Sequence, residues 1–131
     1  MTANARVHLA EDDAEMRRVI VDALERDGHS VHAVADGLAL LIRLAQNDRF
    51  HWQSVDLVIA DVRMPICSGL QALETVRAAG APVPFLLITA FSDAEVKRRA
   101  RKAGGRLLDK PFAIDELRRA VDELVASRQP F

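Results

Sequence analysis

Cysteine occurs once, at Cys67, and tyrosine is absent. A lone thiol closes no internal disulfide, so packing must hold the fold, in keeping with a reducing compartment. One tryptophan and five phenylalanines are poor material for stacking nucleic-acid bases or a flavin. No apolar run approaches the roughly 18 residues that cross a bilayer. The opening MTANARVHLAEDD lacks the apolar centre of a signal peptide. No membrane contact is expected, and the expected location is cytoplasmic. Charge of one sign is missing too: 18 Lys and Arg against 19 Asp and Glu leave a net charge of −1, which argues against a whole-molecule grip on nucleic acid. What is present, 131 residues of which 50% are hydrophobic and 28% charged, suits one globular domain over 1–131 with its core from about 6 to 125.

Short β-branched and apolar segments alternate with longer stretches of helical period, which is the signature of repeated βα units. Strands are expected at Arg6 to Ala10, Ser30 to Val34, Leu57 to Asp61, Phe85 to Thr89 and Arg106 to Leu108. The run Leu57 to Ala60 is continuously apolar, as a central strand covered on both faces requires. Between the strands, Met16, Val19, Ile20, Ala23 and Leu24 mark a first helix that ends at Gly28. Leu38, Leu41, Ile42 and Ala45 mark the apolar face of a second, followed by a polar loop from Gln46 to Ser54. Ser68 caps a third helix through Ala79, and Ser92 or Asp93 caps a fourth that Gly104-Gly105 ends. The last helix buries Ile114, Leu117, Val121, Leu124 and Val125, with Asp115 and Glu116 at its positive end. Five βα units and right-handed crossovers predict an open, doubly wound parallel sheet, and a strand order of 2-1-3-4-5 would make its chemistry-bearing strand ends neighbours.

Ligands of such a sheet sit beyond the carboxyl ends of its strands. Glu11 and Asp12 follow the first strand, Asp61 ends the third, Thr89 ends the fourth and Lys110 follows the fifth, so all five side chains should face one cleft. Three neighbouring carboxylates repel each other unless a cation joins them. An oxygen-only set with room for water suits Mg²⁺ and would accept Mn²⁺, and no His/Cys set has zinc spacing. Lys110 and Thr89 supply a movable positive charge and a hydroxyl for phosphoryl oxygens. An oxygen of Asp61 is then placed to attack phosphorus and form an acyl phosphate.

These residues carry a resemblance. Glu11-Asp12, Asp61 in LVIADVRMP, Ser68-Gly69, Leu87-Ile88-Thr89-Ala90 and Asp109-Lys110-Pro111-Phe112 resemble the receiver domain of bacterial two-component response regulators, chemotaxis regulators among them, over about Arg6 to Val125. The resemblance implies a flavodoxin-like fold and a phosphoacceptor at Asp61, charged by a sensor histidine kinase or a histidine phosphotransfer protein. It implies Mg²⁺ held by Glu11, Asp12, Asp61 and the backbone carbonyl of Arg63, phosphoryl oxygens met by Thr89 and Lys110, and a cis Lys110-Pro111 bond. It further implies a signalling switch for a downstream effector or output domain rather than an enzyme that turns over a substrate. A phosphorylation-dependent homodimer through the fourth and fifth helices is compatible with it.

Two positions depart from the pattern. Leu107 stands where the family usually carries Tyr or Phe, so a switch would run through Thr89 and the loop into the fourth helix. Arg63 and Phe91 stand where the family tunes hydrolysis, and their bulk predicts a long-lived phosphoryl group. The basic group Lys97, Arg98, Arg99, Arg101 and Lys102 reads as a solvated helix face, with docking of an acidic partner or a second receiver as the alternative. No DNA-reading motif accompanies it. His8, His29, His32 and His51 lie on separate segments and read as structural; Cys67 reads as incidental, Asp13 as a cap and Asp36 as turn chemistry. Competing readings are an aspartyl phosphatase, which would want a second Asp where Arg63 stands, a phosphate-independent interaction module, and a flavin carrier, for which the phosphate loop is missing.

Overall fold

The computed structural model describes residues 4–45 and 55–127. Strands β1 (Arg6–Ala10), β2 (Ser30–Val34), β3 (Leu57–Asp61), β4 (Phe85–Thr89) and β5 (Arg106–Asp109) alternate with helices α1 (Ala14–Arg26), α2 (Gly37–Leu44), α3 (Gly69–Ala78), α4 (Ala94–Lys102) and α5 (Ile114–Ser127). All strand pairs are parallel, in the order β2-β1-β3-β4-β5. Every residue of β3 and β4 is buried, because helices cover both faces of these strands. Side chains alternate between two cores. Val7, Leu9, Leu57, Ile59, Leu86 and Ile88 pack with α1 and α5, while Ala10, Val58, Ala60, Phe85 and Leu87 pack with α2, α3 and α4. The expected loop over 46–54, with His51, lies outside the described residues.

Helix starts follow local chemistry. Asp13, Asp36, Ser68 and Asp93 each accept a hydrogen bond from the N–H three residues on, and Gln71 closes a capping box with Ser68. Asp93, not Ser92, is therefore the cap of α4. Asp36 caps α2 as well as turning the chain. Ala79 is the C-cap of α3 rather than its last helical residue, and β5 runs one residue further than expected, to Asp109.

One expected apolar face is misplaced. On α2 the buried residues are Gly37, Leu40 and Leu44, whereas Leu38 and Ile42 are 43% and 57% exposed and Ala45 is exposed. The sequence GLALLIRL is apolar nearly all round, so periodicity alone selects no face, and contact with β1 and α3 chooses the Leu40–Leu44 ridge. On α1, Ile20 and Leu24 are buried with Met16 packed partly buried against them, and Val19 is 47% exposed.

Arg77 fastens α3 to the loops beneath it without a carboxylate. Its Nε donates to the Ala103 carbonyl at 2.7 Å, its Nη1 to those of Ala81 and Val83 at 2.9 and 2.7 Å, and its Cζ lies 5.7 Å from the Phe85 ring centroid. Arg77→Ala should cost about 2–3 kcal/mol in urea denaturation, since three carbonyls lose their donor. Arg77→Lys should recover only part, because an ammonium cannot present a planar fork.

His8 gives the fold a defined acid sensitivity. Burial first, then the nearby His32 and Arg43, push its imidazole down to about 4. The folded value lies below the unfolded one of about 6.5, so the contribution to stability is present above pH 6.5 and is lost as pH falls toward 4. Allowing for solvent at the partly buried ring, the loss should be about 1–2 kcal/mol. Unfolding free energies across this range should fall more steeply for the wild type than for His8→Gln.

Candidate functional site

The carboxyl ends of β1, β3 and β5 converge where the strand order reverses between β1 and β3. Glu11 follows β1 and is 1% exposed, Asp61 ends β3 at 5%, and Asp12 stands exposed beside them. One carboxylate oxygen from each of these residues lies within 4.8 Å of the others. Lys110, one residue past β5, places Nζ 3.0 Å from Asp61 Oδ1 and 3.4 Å from Glu11 Oε1. The Lys110-Pro111 peptide is cis, as expected.

Backbone contacts hold Asp61 from behind. The Val62 N–H donates to the Ile88 carbonyl and the Gly69 N–H to the Val62 carbonyl. A Cβ on Gly69 would stand 2.1 Å from the Asp61 carbonyl oxygen, so only glycine lets α3 start this close to the end of β3. On the other side, Arg17 Nη1 donates to the Glu11 carbonyl at 2.7 Å, and the Asp13 N–H donates to Glu11 Oε2 at 3.2 Å.

Electrostatics reflect the crowding. Burial, followed by the hydrogen bond and charge of Asp61, pushes the Glu11 carboxyl up to about 6. Burial by itself would lower the Lys110 ammonium, but Asp61 and then Glu11 outweigh it and the net shift is upward. Three carboxylates facing one ammonium leave negative charge that a hard divalent cation would balance. The donor set fits such an ion, being all oxygen and open to solvent through Asp12.

Four of the five expected side chains meet here. Thr89 is buried at the end of β4, but its hydroxyl is engaged in its own loop, donating to the Phe91 carbonyl at 2.9 Å and accepting from the Phe91 N–H at 3.0 Å. Ser92 Oγ ties that loop to Asp109 Oδ1 at 2.8 Å. The Arg63 guanidinium carbon lies 5.7 Å from the centroid of the exposed Phe91 ring. Leu107 packs into the core beneath α4, with Val96 and Ala100. Sequence reasoning did not single out Arg17, the tie from Ser92 to Asp109 or the packing role of Gly69. Arg17 had a signal, a cation in the first turn after an acidic run; the other two depend on contacts between distant segments.

The basic face of α4 is partly paired, Arg98 with Glu95 and Arg99 with Glu74 on α3. Lys97, Arg101 and Lys102 are exposed. Cys67 is half-buried, and burial, then Asp36, pushes its thiol up.

The family profile described as the response regulator receiver domain matches residues 7–122. The transcriptional regulatory protein FixJ of Bradyrhizobium diazoefficiens is 30% identical over 99% of this chain, which spans 61% of that protein. Among solved structures, the receiver domain of Francisella response regulator 1452 is 28% identical, with a TM-score of 0.83 over 94% of this chain and 98% of that one. The receiver domain of the Pseudomonas aeruginosa sensor histidine kinase PA1611, described with a magnesium ion coordinated in its active site cleft, is also 28% identical, with a TM-score of 0.79 over 95% of this chain and 100% of that one. No helix among the described residues is long and apolar enough to cross a membrane. With the family profile matched over residues 7–122, the chain belongs to the family of response regulator receiver domains.

Proposed function

We propose that this chain is a single receiver domain over 1–131, core about 6–125, that takes a phosphoryl group onto Asp61 and thereby changes a surface read by a downstream partner. The observation that carries the reading is the buried Asp61 carboxylate, held 3.0 Å from Lys110 Nζ and within 4.8 Å of the Glu11 and Asp12 carboxylates. Glu11, Asp12, Asp61 and the Arg63 carbonyl would hold Mg²⁺, which supplies charge neutralisation for carboxylate and phosphoryl oxygens alike. An Asp61 carboxylate oxygen attacks phosphorus and forms the new O–P bond. The P–N bond of a phosphohistidine on a sensor kinase or phosphotransfer protein breaks, and its imidazole leaves with the electron pair and takes up a proton. Lys110 meets the charge that gathers on the phosphoryl oxygens. The reaction modifies the domain itself and turns over no separate substrate, and a cytoplasmic setting accords with a kinase donor.

Thr89 carries the switch in this reading. To donate to a phosphoryl oxygen its hydroxyl must give up its bond to the Phe91 carbonyl, which frees the loop leading into α4 to move. Leu107 has no ring to follow it, so the α4 end of the loop and the Ser92 contact with Asp109 take up the change. A homodimer through α4 and α5 would be one output of that movement.

Incubation with acetyl phosphate, followed by intact mass, tests the proposal. One phosphoryl adduct is expected with Mg²⁺ and none when the metal is chelated. No adduct in folded, Mg²⁺-loaded protein, even with a histidine kinase present, would favour a phosphate-independent interaction module instead. The Arg63–Phe91 stack, formed by the residues two past Asp61 and two past Thr89, should obstruct the attacking water. The phosphoryl group should therefore last several-fold longer on the wild type than on an Arg63→Ala, Phe91→Ala double variant, read by the decay of the adduct.

A further inference from the structure

His8 and His32 lie on segments 24 residues apart and share no sequence spacing that suggests a ligand pair. The parallel register sets them directly opposite each other on β1 and β2. Alternation puts both on the α2 side of the sheet, in line with Ala10 and Val34. Their ring centroids are 5.5 Å apart and the rings are tilted by 48°. Two imidazoles sharing a tetrahedral ion, with metal–nitrogen bonds of about 2.0–2.1 Å, place their ring centroids about 5 Å apart.

A second observation points to a ligand here. His8 Nδ1 is buried and has no hydrogen-bond partner. A buried polar atom without a partner is costly, and in native proteins a water molecule or an ion commonly supplies what is missing. The protonation state is right as well. Burial, His32 and Arg43 hold His8 down to about 4, and burial and Arg43 lower His32. Both rings are thus in the neutral form that binds metal at pH 7.

We propose that His8 and His32 form a second metal site, a nitrogen-based one for a borderline divalent ion such as Zn²⁺ or Cu²⁺. The acidic pocket at the strand ends offers only oxygen and suits Mg²⁺, so ligand type separates the two sites. His32 is exposed, which leaves the outer coordination positions to water. Arg43 on α2 is the nearby cation and opposes the ion. Once bound, the ion clamps edge strand β2 to β1 and stabilises the folded state, because the pair does not exist in the unfolded chain.

The test is Zn²⁺ titration of the 131-residue chain at pH 7.5 by calorimetry and thermal unfolding, in excess Mg²⁺ to keep the acidic pocket occupied. One equivalent of Zn²⁺ should bind and raise the melting temperature, with shifts in the imidazole nitrogen resonances of His8 and His32. His32→Gln, a surface change whose folding is checked by circular dichroism, should weaken binding roughly tenfold or more, the loss of one ligand bond. Arg43→Gln should bind Zn²⁺ at least as tightly as the wild type. No Zn²⁺ binding by the wild type would overturn the proposal, as would unchanged binding by folded His32→Gln.

Discussion

Asp61→Asn is expected to gain no phosphoryl group from acetyl phosphate, at any Mg²⁺ concentration, under conditions that convert the wild type. An amide oxygen is a far weaker nucleophile than a carboxylate, so formation of the O–P bond fails at its first requirement. The variant should still fold. Asparagine fills nearly the same volume, and removing one of three crowded carboxylates relieves repulsion that pushes Glu11 upward. Lys110 loses the opposite charge at 3.0 Å but keeps Glu11 at 3.4 Å. Intact mass reports the adduct and urea denaturation reports the fold. An adduct of wild-type yield on Asp61→Asn would move the acceptor to another residue and remove the basis of the proposed function.

Gly69→Ala should produce the largest loss of stability from the smallest added group. The new methyl would lie 2.1 Å from the Asp61 carbonyl oxygen, 2.8 Å from its carbon and 3.1 Å from the Ala60 Cβ. None of these is the end of a flexible side chain that could swing aside. Relief requires α3 to withdraw from β3, which breaks the bond from the Gly69 N–H to the Val62 carbonyl and opens the packing of Leu70 and Leu73. A cost of about 3 kcal/mol is expected, at the upper end for overpacking. Because the displaced atoms belong to Asp61, the folded fraction should also bind Mg²⁺ and accept phosphate poorly. Wild-type stability in urea, with normal Mg²⁺ binding, would show that the backbone yields more easily than these distances imply.

The site was legible in the sequence to the extent that strand ends were. A parallel strand covered on both faces must be apolar throughout, so Leu57–Asp61 and Phe85–Thr89 show as continuous runs, and an acid closing such a run is conspicuous. Asp61, Glu11 and Asp12 could be found this way, and Lys110 followed from its place beside Pro111. The hydroxyl of Thr89 was less legible. Its commitment to Phe91 is a property of the loop conformation, which residue type does not specify. The face of α2 was misread for a related reason, since a helix apolar on nearly every side carries no directional signal.

Sequence by itself determined where the strands and most of the helices begin, through apolar runs and through Asp13 and Ser68 as caps, because these depend on interactions between near neighbours. It determined the order of the chemistry-bearing residues and the family to which they belong. Tertiary structure alone decided that Gly69 seats against Asp61, that Arg77 reaches three carbonyls and that His8 faces His32. Those pairings arise from sheet register and helix packing, in which each contact joins residues far apart in the chain, and no local pattern records the distance that results.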